Sequence, residues 1–87
     1  MEQVPTRRTT VRRIMGRTAF ALGVADARAG RGFRPDYDIW PDTNHQWSYE
    51  RGRQWAALAP RNVRLKHNGK ITEIAHSWSL RHGDDIL

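Results

Sequence analysis

The side chains that could carry out chemistry in this sequence are its histidines, its carboxylates and its arginines. The chain has no cysteine, so it offers no thiolate nucleophile, no disulfide and none of the thiolate ligands of common structural zinc sites. The histidines are not spaced with one another, or with carboxylates, as metal-binding motifs require. They are His45, His67, His76 and His82. We therefore expect no metal site.

Phosphoryl transfer would need a phosphate-binding loop or a pair of acids that holds a metal ion. The sequence has no G-x4-G-K-[ST] segment and no glycine-rich turn between a strand and a helix. Asp36, Asp38 and Asp42 could hold Mg²⁺, but acids in a proline-containing connection more often cap turns and neutralise nearby arginines. We expect no cofactor and no catalytic activity.

Arginine is the residue type that points most directly to a function. The formal net charge is +6, and the basic residues are thirteen Arg and two Lys. A guanidinium binds phosphates and carboxylates through a planar, bidentate set of donors, so this composition suits nucleic acid or an acidic protein surface. A GC-rich genome, whose codons favour arginine, would give the same bias without a function. The placement of the arginines must distinguish these explanations.

The charge is segmented along the chain. Residues 1–34 hold eight arginines against two acids, residues 35–50 hold four acids and neither Lys nor Arg, and residues 51–87 have a net charge of +4. Residues 1–8 have little apolar surface to bury, so we expect a mobile basic arm there and one compact domain over residues 9–87. No apolar run approaches the roughly 20 residues of a membrane span, and no apolar core of a signal peptide follows the first arginines. The sequence therefore predicts a cytoplasmic protein.

The elements that would position these side chains are mainly helical. Apolar residues recur at alternating steps of four and three, which predicts a helix over about residues 10–29 with Thr9 or Thr10 at its start and Gly30 at its stop. Gly16 and Gly23 lie inside this helix, where a glycine costs about 1 kcal/mol relative to alanine. Either these glycines allow close packing or the helix breaks there.

A second helix is predicted over about residues 44–59. Thr43 and Gln46 match a capping box at its start, and Pro60 prevents its continuation. Each helix has one face of small residues, which favours a close crossing of the two helices over a ligand-binding role for the glycines. These faces consist of Gly16, Gly23, Ala27 and Gly30 on the first helix and Tyr49, Gly52, Ala56 and Ala59 on the second.

The C-terminal third is predicted to begin with a β-hairpin. Residues 62–72 alternate apolar and basic side chains around Asn68-Gly69, a favoured two-residue turn. After it, Thr72-Glu73 resembles a helix start and Gly83 a helix stop. Residues 74–78 also alternate, so a continued strand is the competing interpretation, and we favour the helix. The predicted fold is mainly α (α+β), with two packed helices followed by a short hairpin and a C-terminal helix.

Helical geometry would place several arginines on one narrow face of the first helix. At about 100° per residue, four of them fall within an arc of about 60°, roughly opposite the apolar stripe. Phe20 and Val24 project from the same side, so apolar groups would lie between the charges, as in many single-stranded nucleic-acid binders. The alternative is that Phe20 is buried by another segment and the arginines are only solvated. The four arginines are Arg13, Arg17, Arg28 and Arg31, and Arg7, Arg8 and Arg12 would assist them.

One pattern of aromatic and small residues covers about residues 12–59. It consists of Phe20-x2-Gly23-x6-Gly30, then Pro35-Asp36-Tyr37, then Tyr49-x2-Gly52-x3-Ala56. This pattern resembles the ribosome modulation factor family and the small plasmid- and phage-encoded proteins grouped with it. The resemblance implies two short helices and binding to the ribosome at ribosomal RNA. The chain departs from the family in the longer linker after Pro35, in Tyr49 where Trp is usual, and in its nearly thirty additional C-terminal residues.

We expect the function to be non-catalytic binding of RNA or a ribonucleoprotein, in preference to duplex DNA, through the arginine-bearing face. The alternative is a phage-encoded inhibitor that binds an acidic surface of a host protein, or a host nucleic-acid-handling complex, through an aromatic hot spot flanked by arginine. Its candidate residues are Tyr37, Trp40 and Trp47, which could equally complete the core. The sequence predicts no membrane partner and no particular oligomeric state.

Overall fold

Helices and a small hairpin follow one another along the chain in the predicted order. The structure is a computed structural model that describes residues 11–34, 36, 40 and 43–83. Residues 11–15 form the short helix α1. The other elements are α2 (Thr18–Arg28), α3 (Thr43–Leu58), β1 (Lys66–His67), β2 (Lys70–Ile71) and α4 (Glu73–His82). The prediction of a mainly helical α+β fold is confirmed, and the predicted arm over residues 1–8 lies outside the described residues.

The first helix of the sequence prediction is divided in two at Gly16 and Arg17. The Gly16 N–H bonds to the carbonyls of Arg12 and Arg13 at 3.0 and 3.2 Å, and the next residue, Arg17, is extended, with φ −70° and ψ 144°. The helix then restarts at Thr18 with a new axis, so an angular count carried across the break does not hold. The predicted continuous helix over residues 10–29 is therefore wrong at this point, because Arg17 leaves the helical conformation.

The end of α2 is a glycine stop, as predicted. Gly30 has a φ of 76°, which a glycine adopts without strain. The Gly30 N–H bonds to the Ala27 carbonyl at 3.1 Å, and the Arg31 N–H bonds to the Asp26 carbonyl at 2.8 Å. This pair of bonds is a Schellman motif, which satisfies carbonyls that the helix end would leave without partners.

Helices α2 and α3 cross in direct backbone contact at Gly23 and Gly52. A Cβ atom on Gly23 would overlap the carbonyl oxygen of Tyr49, and one on Gly52 would overlap the carbonyl oxygen of Phe20. The predicted close crossing is thus confirmed at these two glycines. Both helices begin at the same end of the crossing, since Arg17 bonds to Ser48 near the start of α3 while Arg28 bonds to the Pro60 carbonyl beyond its end.

The core is centred on Trp55 of α3. Its ring meets those of Phe20 and Trp78 edge to face, at centroid distances of 6.3 and 5.8 Å, and its Nε1–H donates to Ser79 Oγ at 2.8 Å. Trp55 therefore joins α2, α3 and α4 through a large buried area while its one polar group keeps a partner. The other buried members of this cluster are Ile14, Met15, Val24, Ala59, Val63, Leu65 and Ala75.

The C-terminal third has the predicted hairpin and helix. Asn68 and Gly69 both have positive φ, 53° and 79°, as a type I′ turn requires. Thr72 then caps α4, because its Oγ1 accepts the Ala75 N–H at 3.1 Å. The competing interpretation of a continued strand is excluded. At the other end of the molecule Thr43 lies within α3, so its predicted role as the N-cap is wrong, while α3 stops before Pro60 as expected.

Among the described residues, no helix combines the length and the apolar character that a membrane span needs.

Candidate nucleic-acid interface

The arginines of the predicted surface have different roles in the structure. Arg13 on α1 is exposed, and no hydrogen bond or ion pair joins its side chain to a described residue. Arg12 is tied to α4, where its guanidinium lies 3.2 Å from Glu73 Oε2 and 3.3 Å from His76 Nδ1. Arg7 and Arg8 lie outside the described residues. The predicted arginines therefore do not form one continuous ridge, and each of them has different neighbours.

Arg28 is a structural residue that anchors the segment after α3. Its guanidinium donates to the carbonyls of Val63 and Pro60 at 2.8 and 3.1 Å, and its central carbon lies 5.1 Å from the centroid of the Trp55 ring. Burial, and secondarily the charge of Arg61, lowers the pKa of Arg28 from its usual value. Both terminal nitrogens of Arg28 thus bond to backbone carbonyls within the fold, so we assign this residue a structural role.

Arg31 is one of the residues around the buried carboxylate of Asp26. The Tyr49 hydroxyl donates to Asp26 Oδ2 at 2.6 Å, and the guanidiniums of Arg31 and Arg34 approach the two carboxylate oxygens at 3.5 and 3.3 Å. The Tyr49 hydrogen bond lowers the pKa of Asp26 most, burial raises it, and the nearby arginines lower it further. The pKa of Tyr49 is raised, by burial first and then by its bond to Asp26.

The same cluster fastens the connection after α2 to α3. Arg53 donates to the carbonyls of Arg31 and Gly32 at 2.7 and 3.3 Å, and it lies over the Phe33 ring at 4.8 Å. The arginines of this cluster therefore balance one buried charge and hold one loop. Arg31 is thus paired with Asp26 while its side chain stays 69% exposed, so it does not belong to a ridge of unpaired arginines.

Phe20 lies in the core and not on the surface. It is fully buried and Val24 is 5% exposed, and the Phe20 ring packs against Trp55. The prediction that Phe20 lies among surface arginines is wrong, and the alternative of burial by another segment holds, because this side of α2 packs against α3. Phe20 is inaccessible to a partner in this fold.

Arg17 is the predicted residue that remains available at a concave surface. One terminal nitrogen donates to the Oγ of the fully buried Ser48 at 3.0 Å, which holds the guanidinium in place. Its other N–H groups have no acceptor among the described residues. A guanidinium that is held by one bond and keeps further donors exposed is suited to a phosphate or carboxylate.

Three adjoining cavities surround Arg17 and form a groove across the N-terminal ends of α2 and α3. Their volumes are about 490, 330 and 230 Å³. We call this surface the Arg17 groove. Among the described residues its lining contains no acid and consists of Ile14, Arg17, Thr18, Ala19, Leu22, Trp40, Thr43, Asn44, His45 and Trp47.

The two tryptophans of the predicted aromatic hot spot are walls of this groove. Trp40 is half-buried and meets the Tyr49 ring edge to face at 5.3 Å. Trp47 is half-buried against the core, and the guanidinium carbon of Arg51 lies 5.1 Å from its ring centroid. Both residues thus contribute to packing and keep part of the ring at the surface, while Tyr37 lies outside the described residues.

The local electrostatics of the groove favour an anion. The first turns of α2 and α3 contain no acidic residue, and the N-terminal end of a helix carries a partial positive charge. Asp42, which precedes α3, lies outside the described residues. The N-cap of α2 is Arg17, whose side chain makes no capping bond, so this helix end adds no carboxylate of its own.

Sequence reasoning missed several lining residues, among them Thr18, Asn44 and His45. They come from two helix starts that are far apart in sequence and adjacent in space. The available signals were the glycine at position 16, which permits a break and a restart at Thr18, and the threonine at position 43. Neither signal could show that α2 and α3 begin at the same end.

The described part of the chain has no cluster of three or more metal-ligating side chains. Comparisons of the chain with family models, with curated proteins and with solved structures find no match.

Proposed function

We propose that this protein is a non-catalytic, cytoplasmic binder of RNA or of a ribonucleoprotein, and that it contacts the nucleic-acid backbone at the Arg17 groove. The observation that carries the proposal is the position of Arg17, a partly hydrogen-bonded guanidinium within a groove whose described lining has no acid. The net charge of +6 adds long-range attraction to any polyanion. The resemblance to ribosome modulation factors supports the same class of partner.

Phosphate binding at this position is chemically direct. A guanidinium can present two parallel N–H groups to a phosphate, and Ser48 restricts the side-chain freedom that such binding would otherwise remove. Arg13 is a second candidate contact, since it is exposed on α1 and precedes Ile14, which lines the groove. Arg28 is held by hydrogen bonds to backbone carbonyls, and Arg31 and Arg34 are paired with the buried Asp26, so these three arginines are weaker candidates.

The test is binding of a fluorescent single-stranded RNA to the full chain, measured by anisotropy over a series of salt concentrations. Arg17→Gln removes the charge and retains a side-chain N–H donor near Ser48. We expect this variant to weaken binding about tenfold or more, as expected for loss of a charged hydrogen bond. We also expect the log-log salt slope to fall by about 0.7, the value for one phosphate contact on a single strand.

The matched control is Arg64→Gln. Arg64 is exposed, does not line the groove and has no side-chain hydrogen bond or ion pair with a described residue. It therefore reports the effect of lowering the net charge by one unit. Equal losses in the two variants, or RNA binding that does not depend on salt, would refute the proposal.

A protein partner is the second candidate, and the half-buried tryptophans favour it. Trp40 and Trp47 stand at one groove with Arg17, and Trp and Arg are residue types that dominate protein hot spots. Capture of partners by a tagged chain from a nuclease-treated extract separates the two functions. Partners that are lost with the RNA support RNA binding, and one protein that is retained after nuclease treatment supports the inhibitor function.

A further inference from the structure

Neighbouring cavities of the Arg17 groove share lining residues and therefore adjoin one another. Thr18, Ala19 and His45 line both the 230 Å³ cavity and the 330 Å³ cavity. Arg17 and Asn44 line both the 330 Å³ cavity and the 490 Å³ cavity. A cation thus lies between a cavity that contains Trp40 and a cavity that contains Trp47.

The 230 Å³ cavity differs chemically from the other two. Its lining combines Ala19, Leu22 and the indole of Trp40 with the polar edges of Thr18 and His45. None of the described residues in that lining is an Arg, Lys, Asp or Glu. A mainly apolar site with one large ring and a few polar groups suits a flat heteroaromatic ring with a polar edge.

We propose that this cavity, the Trp40 cavity, binds one unpaired nucleobase of RNA while Arg17 binds the adjacent phosphate. This inference rests on the proposed function and narrows it to single strands. A base inside a duplex is stacked and paired on all sides, so it cannot enter a side cavity without being extruded. The strand then continues through the 330 Å³ cavity towards Trp47, where stacking groups are again available.

Charge complementarity selects this occupant over a neutral apolar one. The Trp40 cavity shares Thr18, Ala19 and His45 with the 330 Å³ cavity that Arg17 lines, so a ligand that carries an anion beside an aromatic ring would complement both. A nucleotide within a strand has this combination at a fixed spacing. Stacking of a base on an aromatic side chain is sequence-tolerant, so we expect little preference among the four bases.

The experiment compares a single-stranded RNA of about ten nucleotides with a blunt duplex of the same sequence, on the full chain at one salt concentration and then over a salt series. Trp40→Leu keeps an apolar side chain and removes the stacking ring. We expect it to weaken single-strand binding roughly 5- to 150-fold, the range for loss of one stacked base. Its salt slope should equal that of the parent chain, because no phosphate contact is lost.

A second variant controls for an effect of Trp40→Leu on folding. Ala19→Leu fills the Trp40 cavity and keeps the indole, so it should reduce single-strand affinity in the same way. The control is Phe33→Leu, which removes an aromatic ring that is 53% exposed and does not line the groove. Thermal unfolding of each variant identifies any loss of the fold.

The outcomes separate this inference from the function on which it rests. If Arg17→Gln weakens RNA binding while Trp40→Leu and Ala19→Leu do not, the protein binds RNA but the Trp40 cavity holds no base. Equal affinity for the single strand and the duplex would likewise show that the Trp40 cavity holds no base. If neither form of RNA binds in a salt-dependent way, the proposed function itself is refuted.

Discussion

Replacing Gly52 with alanine tests the close crossing of α2 and α3, on which the shape of the Arg17 groove depends. In an isolated helix this change would stabilise by about 1 kcal/mol, since alanine has the higher helix propensity. In this fold the new Cβ would overlap the carbonyl oxygen of Phe20 and lie 2.9 Å from its carbonyl carbon. Favourable carbon contacts begin near 3.5 Å, so the two backbones would have to separate by roughly 0.5–1 Å.

The expected net result is a loss of stability. The contact is with backbone, so no side-chain rotation can relieve it, and overpacking of this kind costs about 1–3 kcal/mol. Each kcal/mol corresponds to a fall in Tm of about 4–8 °C for a domain of this size. Urea unfolding, followed by tryptophan fluorescence, to which the buried Trp55 contributes, measures the change directly.

Two further glycine variants test the contact between α2 and α3. Gly32→Ala is the control, because a Cβ there meets nothing within 4 Å, and it should be neutral or stabilise by up to about 1 kcal/mol. Gly23→Ala should destabilise like Gly52→Ala, and the double variant should lose less than the sum, because one separation of the helices relieves both contacts. A Gly52→Ala protein as stable as the parent would refute the close crossing.

Three other changes follow from individual contacts. Tyr49→Phe removes the hydrogen bond that chiefly lowers the pKa of Asp26. The stability that comes from this lowered pKa is present above the usual value of 3.8 and is lost as the pH falls through the pKa of the folded state. Urea unfolding of the variant should therefore show a loss of about 1.5–3 kcal/mol at pH 7 and a smaller loss at pH 2. Thr72→Ala removes the cap of α4 and should cost about 1 kcal/mol in the same assay, whereas Thr72→Ser should restore it. Arg28→Glu should lower Tm markedly, because it removes the donor to the Val63 carbonyl and places a carboxylate beside the carbonyls of Val63 and Pro60, whereas Arg13→Glu should leave Tm unchanged; similar Tm values for the two would contradict these assignments.

The two results for Arg28 and Arg13 bear on function as well. An arginine that supports the fold cannot be tested by charge reversal, since loss of binding would then report unfolding. Arg17 lies between these cases, because it bonds to Ser48 and still has donors without a described acceptor. It is therefore the residue at which binding and stability must be measured side by side.

Local signals in the sequence were sufficient for the hairpin, the end of α2, the start of α4 and the glycine contact. Asn68-Gly69 predicts a type I′ turn because these residues accept positive φ, and Thr72 predicts a helix start because its hydroxyl can accept a free N–H. The small residues on the face around Gly52 predicted the close helix crossing from their size alone. Each of these predictions depends on interactions within a few residues or on the size of one side chain.

The arrangement of the arginines could not be obtained in this way. An angular count along α1 and α2 assumes one helix axis, and the extended Arg17 ends that axis, so Phe20 enters the core and Arg28 turns to Trp55. Which guanidinium is bonded depends on carbonyls and a carboxylate that other segments bring to it. The sequence by itself determined the elements and the excess of positive charge. Only the tertiary structure decided that Arg17 remains available at a groove, because that depends on α2 and α3 starting at the same end of their crossing.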